Sequence, residues 1–515
     1  MKRILNLSLP GYTCPEGNSD GGAYPIYSYR PDYNAFIEKV SDERSIDQIM
    51  GFFDLKTFLL GPFPGELFNL CAMTTKPHTT HITYFKKNKS NLYDPQDVSA
   101  LAPDQLVGDL KVINVTNVKS DISINDLKKY EIAEGDIVFL NTNFSKKYRD
   151  IKPTKKYYTE LPGLSFEAAE YLVKAGVKVI GIDARTMEPL EKSNRGNVSI
   201  IDLFNQAGIP VVEDLANLDL VTENLKWAII GVPVKIHGAL GGAARVIAIN
   251  PDEPNEYLDL SHKVKTYPDM RFDRPHGWEL PMPERIEPRD MQNQISRWTR
   301  LLPFVLEGKD VRTPDGRSQE MYIYFSHGSN THAECAYFDP FSSHNISEEI
   351  MLRYKEMPID RLIGNASILD LSENIGPRQT IDVDLLEKSS VDIHKGDVLF
   401  VRADINDWYL FGKSIDITPG FTVGAARWLV DKGIKAIVID FPSVEKSNPP
   451  SGIDGVRYTA NDVHYYFHNN NIPVIEKATK LSHIKQKRFS TAILPLPAHN
   501  LGGFPVDIFV WENWK

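Results

Sequence analysis

Apolar residues return at helical spacing in LPGLSFEAAEYLVKAGVKVIGID and again, 257 residues later, in ITPGFTVGAARWLVDKGIKAIVID. Each stretch opens on Pro-Gly and continues as an amphipathic helix, with one apolar stripe and one polar face. Gly176 and Gly433 follow, at the point where a left-handed helix cap suits a residue without Cβ. The β-branched runs that come next, closing on Asp183 and Asp440, predict short buried strands. A helix followed by a strand is therefore the building unit of both halves.

Four further blocks fall into the same register. DQLVG at Asp104 matches DRLIG at Asp360, and EGDIVFLNTN at Glu134 matches KGDVLFVRAD at Lys395. AGIPVVEDLANL around Glu213 matches NNIPVIEKATKL around Glu476, and GVPVKIHGALGG ending at Gly242 matches ILPLPAHNLGG ending at Gly503. Chance likeness between α/β segments does not keep five blocks collinear, so the chain is a tandem duplication. Residues 250–290 carry Pro251, Pro254, Pro268, Pro275, Pro281, Pro283 and Pro288, a density that suits an ordered, irregular connector. The expected division is residues 1–260 and 261–515. The first 60 residues, rich in Gly, Pro and Tyr, show no clear period.

Composition narrows the class. At 515 residues, with 42% apolar and 24% charged content, the chain is ordinary globular protein of two to four domains. A net charge of −10 argues against a broad phosphate-binding surface and so against a nucleic-acid partner. No apolar run reaches the length of a membrane span. The start, MKRILNLSLPGY, lacks the apolar middle of a signal peptide, which makes a cytoplasmic protein the expectation. Cys14, Cys71 and Cys335 are too few and too odd in number for a disulfide scaffold.

The second copy holds a cluster with metal-ligand chemistry. His332 and Glu334 are two apart, a spacing that puts both on one face of an extended strand. An imidazole and a carboxylate side by side are what a divalent cation takes from a protein. His327 has the wrong parity for that face unless Gly328-Ser329-Asn330 bulges the strand. Further on, His464 is expected on a helix that Asn469–Asn471 ends, and Glu476 near the end of the following strand. A structural reading stands beside this one: helix histidines are commonly half-buried and hydrogen-bonded, and carboxylates at strand ends are commonly solvated. In the first copy His81 and Glu213 persist, but Thr83 replaces Glu334 and Ile201 replaces His464. His78, three before His81, again has the wrong parity. With half of its donors gone, that copy is expected to be metal-free.

At these residues the chain resembles the cyclase family that includes bacterial kynurenine formamidase and isatin hydrolase. The family pattern is His-x-Gly-Thr-His-x-Asp-x-Pro-x-His, then a PGL-type helix and strand, then a His twelve residues before the Glu of IPxxEN. Thr331-His332-Ala333-Glu334 matches the Thr-His-x-Asp core with Glu for Asp, and His464 and Glu476 match the later pair. There are departures: Gly328 holds the first His place, with His327 one residue back, and Phe338 holds the last. His344 in the following loop is a substitute or a solvated histidine, and Cys335 lines the site or packs in the core.

The resemblance implies two α/β domains of the swivelling β/β/α kind, each a mixed sheet with helices. Family members are usually homo-oligomers whose subunits complete one another's pockets. The duplication would then form an intramolecular pseudo-dimer, itself open to further homo-oligomerisation. It also implies metal-dependent hydrolysis of a small amide, lactam or formamide, or a related cyclisation or dehydration. Zn²⁺ or Mn²⁺ would be held by His332, Glu334 and His327, with His464 and Glu476 completing the shell or moving a proton. Trp408 and Tyr409 are candidates for stacking on substrate or for packing between copies, and His237 and His499 read as core histidines. A catalytically inactive scaffold that binds a small molecule or a protein is the competing expectation, favoured by Phe338 and the irregular first histidine.

Overall fold

The strands Val179–Ile182 and Ala436–Ile439 are apolar and buried at every position, and the alternation of side chains across a strand sends successive residues to different cores. A computed structural model describes residues 3–6, 66–72, 80–84, 98–118, 121–148, 162–184, 186–189, 199–233, 241–259, 261, 319–325, 331–334, 357–376, 378–389, 392–404, 418–446, 462–497 and 503–512. For the strands at 3–6, 66–72 and 319–325 it describes the backbone alone.

The first copy builds a mixed sheet. Its spatial order is Gly241–Ala243, His81–Thr83, Val211–Glu213, Val179–Ile182, Ile137–Asn141, Val107–Asn114, Trp227–Gly231, Arg245–Ile249 and Tyr257–Asp259. The four strands from Val211–Glu213 to Val107–Asn114 are mutually parallel and the flanking ones antiparallel. The second sheet runs Arg3–Asn6, Gly503–Glu512, His332–Glu334, Val474–Glu476, Ala436–Ile439, Val398–Arg402, Ile363–Asp370 and Arg488–Pro495. Arg488–Pro495 also pairs with Gly503–Glu512, so this sheet curls round and closes on itself.

The amphipathic segments are helices at Phe166–Ala175 and Val423–Asp431. Ser165 Oγ accepts the Ala168 N–H and Thr422 Oγ1 the Ala425 N–H, each satisfying one of the free donors of a helix start. The buried stripes coincide under the repeat: Ala168, Ala169 and Leu172 in one helix, Ala425, Ala426 and Leu429 in the other. Gly176 at φ 72° and Gly433 at φ 81° turn the chain into the strand.

Three apolar cores result. Val138, Leu140, Ile180 and Ile182 face a core under the helices of the first copy, and Leu399, Val401, Ile437 and Ile439 face the matching core of the second. The alternate residues Ile137, Phe139, Val179, Val398, Phe400, Ala436 and Val438 belong to one cluster that draws on both sheets. Polar ties cross it. The Val232 N–H donates to buried Asp507 Oδ2 at 2.9 Å, and Trp511 Nε1 donates to the Pro251 carbonyl at 3.2 Å.

Strands also pass between the copies. Arg3–Asn6, at the start of the first copy, pairs with Gly503–Glu512 of the second sheet. Tyr257–Asp259, which begins the second copy if LDLS at 258–261 is aligned with LNLS at 5–8, pairs with Arg245–Ile249 of the first. Glu66–Ala72 and Gln319–Phe325, eleven residues ahead of His81 and His332 when counted from Leu70 and Met321, pair antiparallel with Leu70 opposite Met321. Leu70 and Met321, each eleven residues ahead of its histidine, thus face one another one step from the middle pair of that ladder, Asn69 and Tyr322.

The tie from Asp507 gives a first prediction. Asp507→Ala leaves a buried Val232 N–H without this acceptor and should cost about 1–3 kcal/mol in chemical denaturation. Asp507→Asn, which keeps a carbonyl oxygen there, should cost less.

Candidate metal centre

The edge strand carrying His332 is set by its pairing, with His332 opposite Glu476 and Glu334 opposite Val474. Thr331 Oγ1 fixes that strand further by donating to the Lys477 carbonyl at 2.7 Å. His332 Nε2 lies 2.9 Å from Glu334 Oε1 and 3.6 Å from Glu476 Oε2. One donor atom from each of His332, Glu334 and Glu476 falls within 4.8 Å of the others, the one such group among the described residues. His332 and Glu476 are buried, and the Glu334 side chain is 19% exposed. The group is thus reachable from one side.

His464 stands on the helix Asp462–Asn469, and Glu476 ends the strand Val474–Glu476. The helix and strand bring His464 Nε2 to 3.2 Å from Glu476 Oε1. The same oxygen accepts the Val444 N–H at 2.9 Å. His464 Nδ1 lies 3.2 Å from Glu445 Oε1, which also accepts the N–H groups of Val463 and His464 at 2.8 and 3.0 Å. Burial alone would lower the His464 pKa, but the bonds to Glu445 and Glu476 outweigh it and hold the imidazole well above its usual value. Burial, and then the charge on His464, push His468 down to about 3. Lys477, in the left-handed region at φ 58°, is pushed by burial down to about 8, with Glu476 and Glu334 acting against the fall.

The first copy repeats the frame without the chemistry. His81 Nε2 lies 3.0 Å from Glu213 Oε2, and Glu213 Oε1 accepts the Met187 N–H at 2.6 Å. Thr80 Oγ1 donates to the Asp214 carbonyl as Thr331 does to that of Lys477. Glu188 accepts the N–H groups of Ile200 and Ile201 as Glu445 accepts those of Val463 and His464. Thr83 and Ile201 supply no ligand atom of the kind that Glu334 and His464 offer.

The donor set suits a divalent cation: one imidazole and two carboxylates are ordinary ligands of Zn²⁺ or Mn²⁺. Glu445 and Lys477 were not among the residues that the motif spacing picked out. Glu445 had a signal, since it falls on Glu188 at the 257-residue offset, whereas Lys477 falls on Asp214 and had none. His327, Phe338, His344, Cys335, Cys14, His78, Trp408, Tyr409, His237 and His499 lie outside the described residues.

This geometry sits in a recognised family. The family model described as "Putative cyclase" matches residues 25–189 and again 258–446, and the chain belongs to that family. Among similar proteins, the kynurenine formamidase of Bacillus thuringiensis subsp. konkukian (strain 97-27) is 25% identical over 183 residues, 35% of this chain and 79% of the relative. Solved structures include isatin hydrolase A from Ralstonia solanacearum, 16% identical, with a TM-score of 0.29 over 48% of this chain and 90% of that one. A "potential metal-dependent hydrolase with cyclase activity" is 17% identical, with a TM-score of 0.29 over 38% and 82%.

The aspartates that close the repeat strands serve the frame. Asp440 accepts the N–H groups of Ala403 and Asp404, and Asp183 those of Thr142 and Ser145. Burial pushes Asp440 up to about 7 and Asp183 up to about 6, against the pull of those hydrogen bonds. The folded Asp440 binds its proton more tightly than the unfolded residue. Its contribution to stability is therefore full below about pH 3.8 and lost as pH rises through about 7. The melting temperature of the parent protein relative to Asp440→Asn should accordingly fall between pH 5 and pH 8. A difference that rises over that range contradicts the assignment.

Proposed function

We propose that the second copy is a metal-dependent hydrolase of a small amide, lactam or formamide, with a related cyclisation or dehydration as the nearest variant chemistry. The observation that carries this reading is the convergence of His332, Glu334 and Glu476 beside the paired His464. Family membership supports it, as does the kynurenine formamidase activity named for a relative. His332, Glu334 and Glu476 would hold Zn²⁺ or Mn²⁺. When bound, such a cation supplies polarisation of a carbonyl and acidification of water.

His464 does the proton work in this scheme. Hydrolysis forms a bond from the water oxygen to the carbonyl carbon and breaks the C–N bond, whose electron pair stays on nitrogen. His464 Nε2 gives the nitrogen its proton, and Glu476 Oε1 lies where it can return the proton lost by the water. The 19% exposure of Glu334 marks the side from which a small substrate enters.

The first copy acts as a metal-free partner in an intramolecular pseudo-dimer, a reading supported by the apolar cluster shared between the sheets and by the pairing of Arg3–Asn6 with the second sheet. Residues 1–260 and 261–515 are the sequence units of that pair. Three cysteines in 515 residues fit a cytoplasmic enzyme.

Elemental analysis of the purified chain should find one equivalent of metal. Glu334→Gln removes a ligating charge at nearly constant volume and should weaken binding by at least the roughly 10–100-fold known for lost outer partners. His81→Ala should leave metal content unchanged. A parent protein that takes up neither Zn²⁺ nor Mn²⁺ and turns over no amide, lactam or formamide would establish the inactive scaffold instead.

A further inference from the structure

We propose that Glu445 is a positioning residue, which fixes the His464 imidazole by holding its Nδ1–H and so leaves the Nε2 proton as the one available for transfer. The inference rests on the assignment of His464 as the proton carrier. The molecule contains its own control. Glu188 and Glu445 are equivalent, both buried, and each accepts two successive backbone N–H groups at the start of a helix. That shared role is capping, and it explains why a glutamate stands at both positions. What the second copy adds is the ring. Where the first copy has Ile201, His464 places Nδ1 3.2 Å from Glu445 Oε1 and Nε2 3.2 Å from Glu476 Oε1.

The loop bearing Glu445 has little freedom to release it. A Cβ on Gly420 would lie 2.0 Å from the Lys446 nitrogen, and one on Gly163 would lie 2.4 Å from Pro189 in the first copy. The Pro-Gly that opens each repeat block therefore lets the loop after the strand close over it. Within that loop the Val444 N–H binds Glu476 Oε1 while Glu445 binds the helix. One loop thus orients both partners of His464. A carboxylate that holds the far nitrogen of a catalytic imidazole selects its tautomer and its direction, as in the Ser-His-Asp arrangement.

Glu445→Gln keeps an oxygen for the helix N–H groups and removes the charge from Nδ1. The test compares it with Glu188→Gln, using the metal-free protein and the ¹H–¹⁵N signals of the histidine rings, assigned through His464→Gln. The parent should show a protected, low-field Nδ1–H signal from His464. Glu445→Gln should lose it with circular dichroism unchanged, and Glu188→Gln should keep it. Persistence of the signal in Glu445→Gln, or its equal loss in both variants, overturns the proposal. In the metal-loaded protein, kcat for the amide substrate should fall about 10²-fold in Glu445→Gln, with KM held. An equal loss in Glu188→Gln would reduce Glu445 to a helix cap. Because the ring signals are read without metal, failure to bind Zn²⁺ or Mn²⁺ would end the hydrolase reading and leave this result standing.

Discussion

Strands such as Val179–Ile182 and Ala436–Ile439 have to bury two faces, and that constraint organises the rest. A run such as Val398–Arg402 offers no polar side to water until its last residue, so a single layer of helices cannot satisfy it. Helices cover one face, and the other is covered by the opposite sheet through the common cluster. Each large apolar side chain removed from water there is worth about 1.5–3 kcal/mol, and the cluster sets many such side chains beside the ties from Asp507 and Trp511. The halves are joined first by the need to cover strands, and only then by Asp507 and Trp511.

The same frame explains how both copies keep their fold while differing at Thr83 and Glu334 and at Ile201 and His464. Thr80 and Thr331, Glu213 and Glu476, and Glu188 and Glu445 each make a backbone contact that the local fold needs. Those residues are present in both copies. Glu334 and His464 meet side chains of the cluster: Glu334 faces His332, and His464 faces Glu445 and Glu476. Thr83 and Ile201 take their places without disturbing the strand or the helix.

Much of this was legible in the sequence because it is local. The left-handed cap at Gly176, the buried stripe through Leu172 and the all-apolar VIGI follow from spacing within twenty residues. The repeat and the family spacing put His332, Glu334, His464 and Glu476 forward as one group, and the pairing of His332 with Glu476 across 144 residues came from the fold. Two things were out of reach. The passage of Arg3–Asn6 to the second sheet is a choice between two chemically similar edges, which no periodicity records. The repeat matches Glu445 to Glu188, but the contact of Glu445 with His464 arises only when that helix is folded against it.

The exchanged first strands bear on the way the chain is threaded. Arg3 lies opposite Glu512 in the second sheet, while Tyr257 lies opposite Ile249 in the first. In the first sheet that step is an ordinary hairpin connection; in the second the same step is open, with its two sides already in register. Joining those sides by a short linker and opening the chain near residue 252 would carry these strands to the same neighbours with the two copies read in reverse order, and would leave Glu334 and His464 in the copy that holds them now.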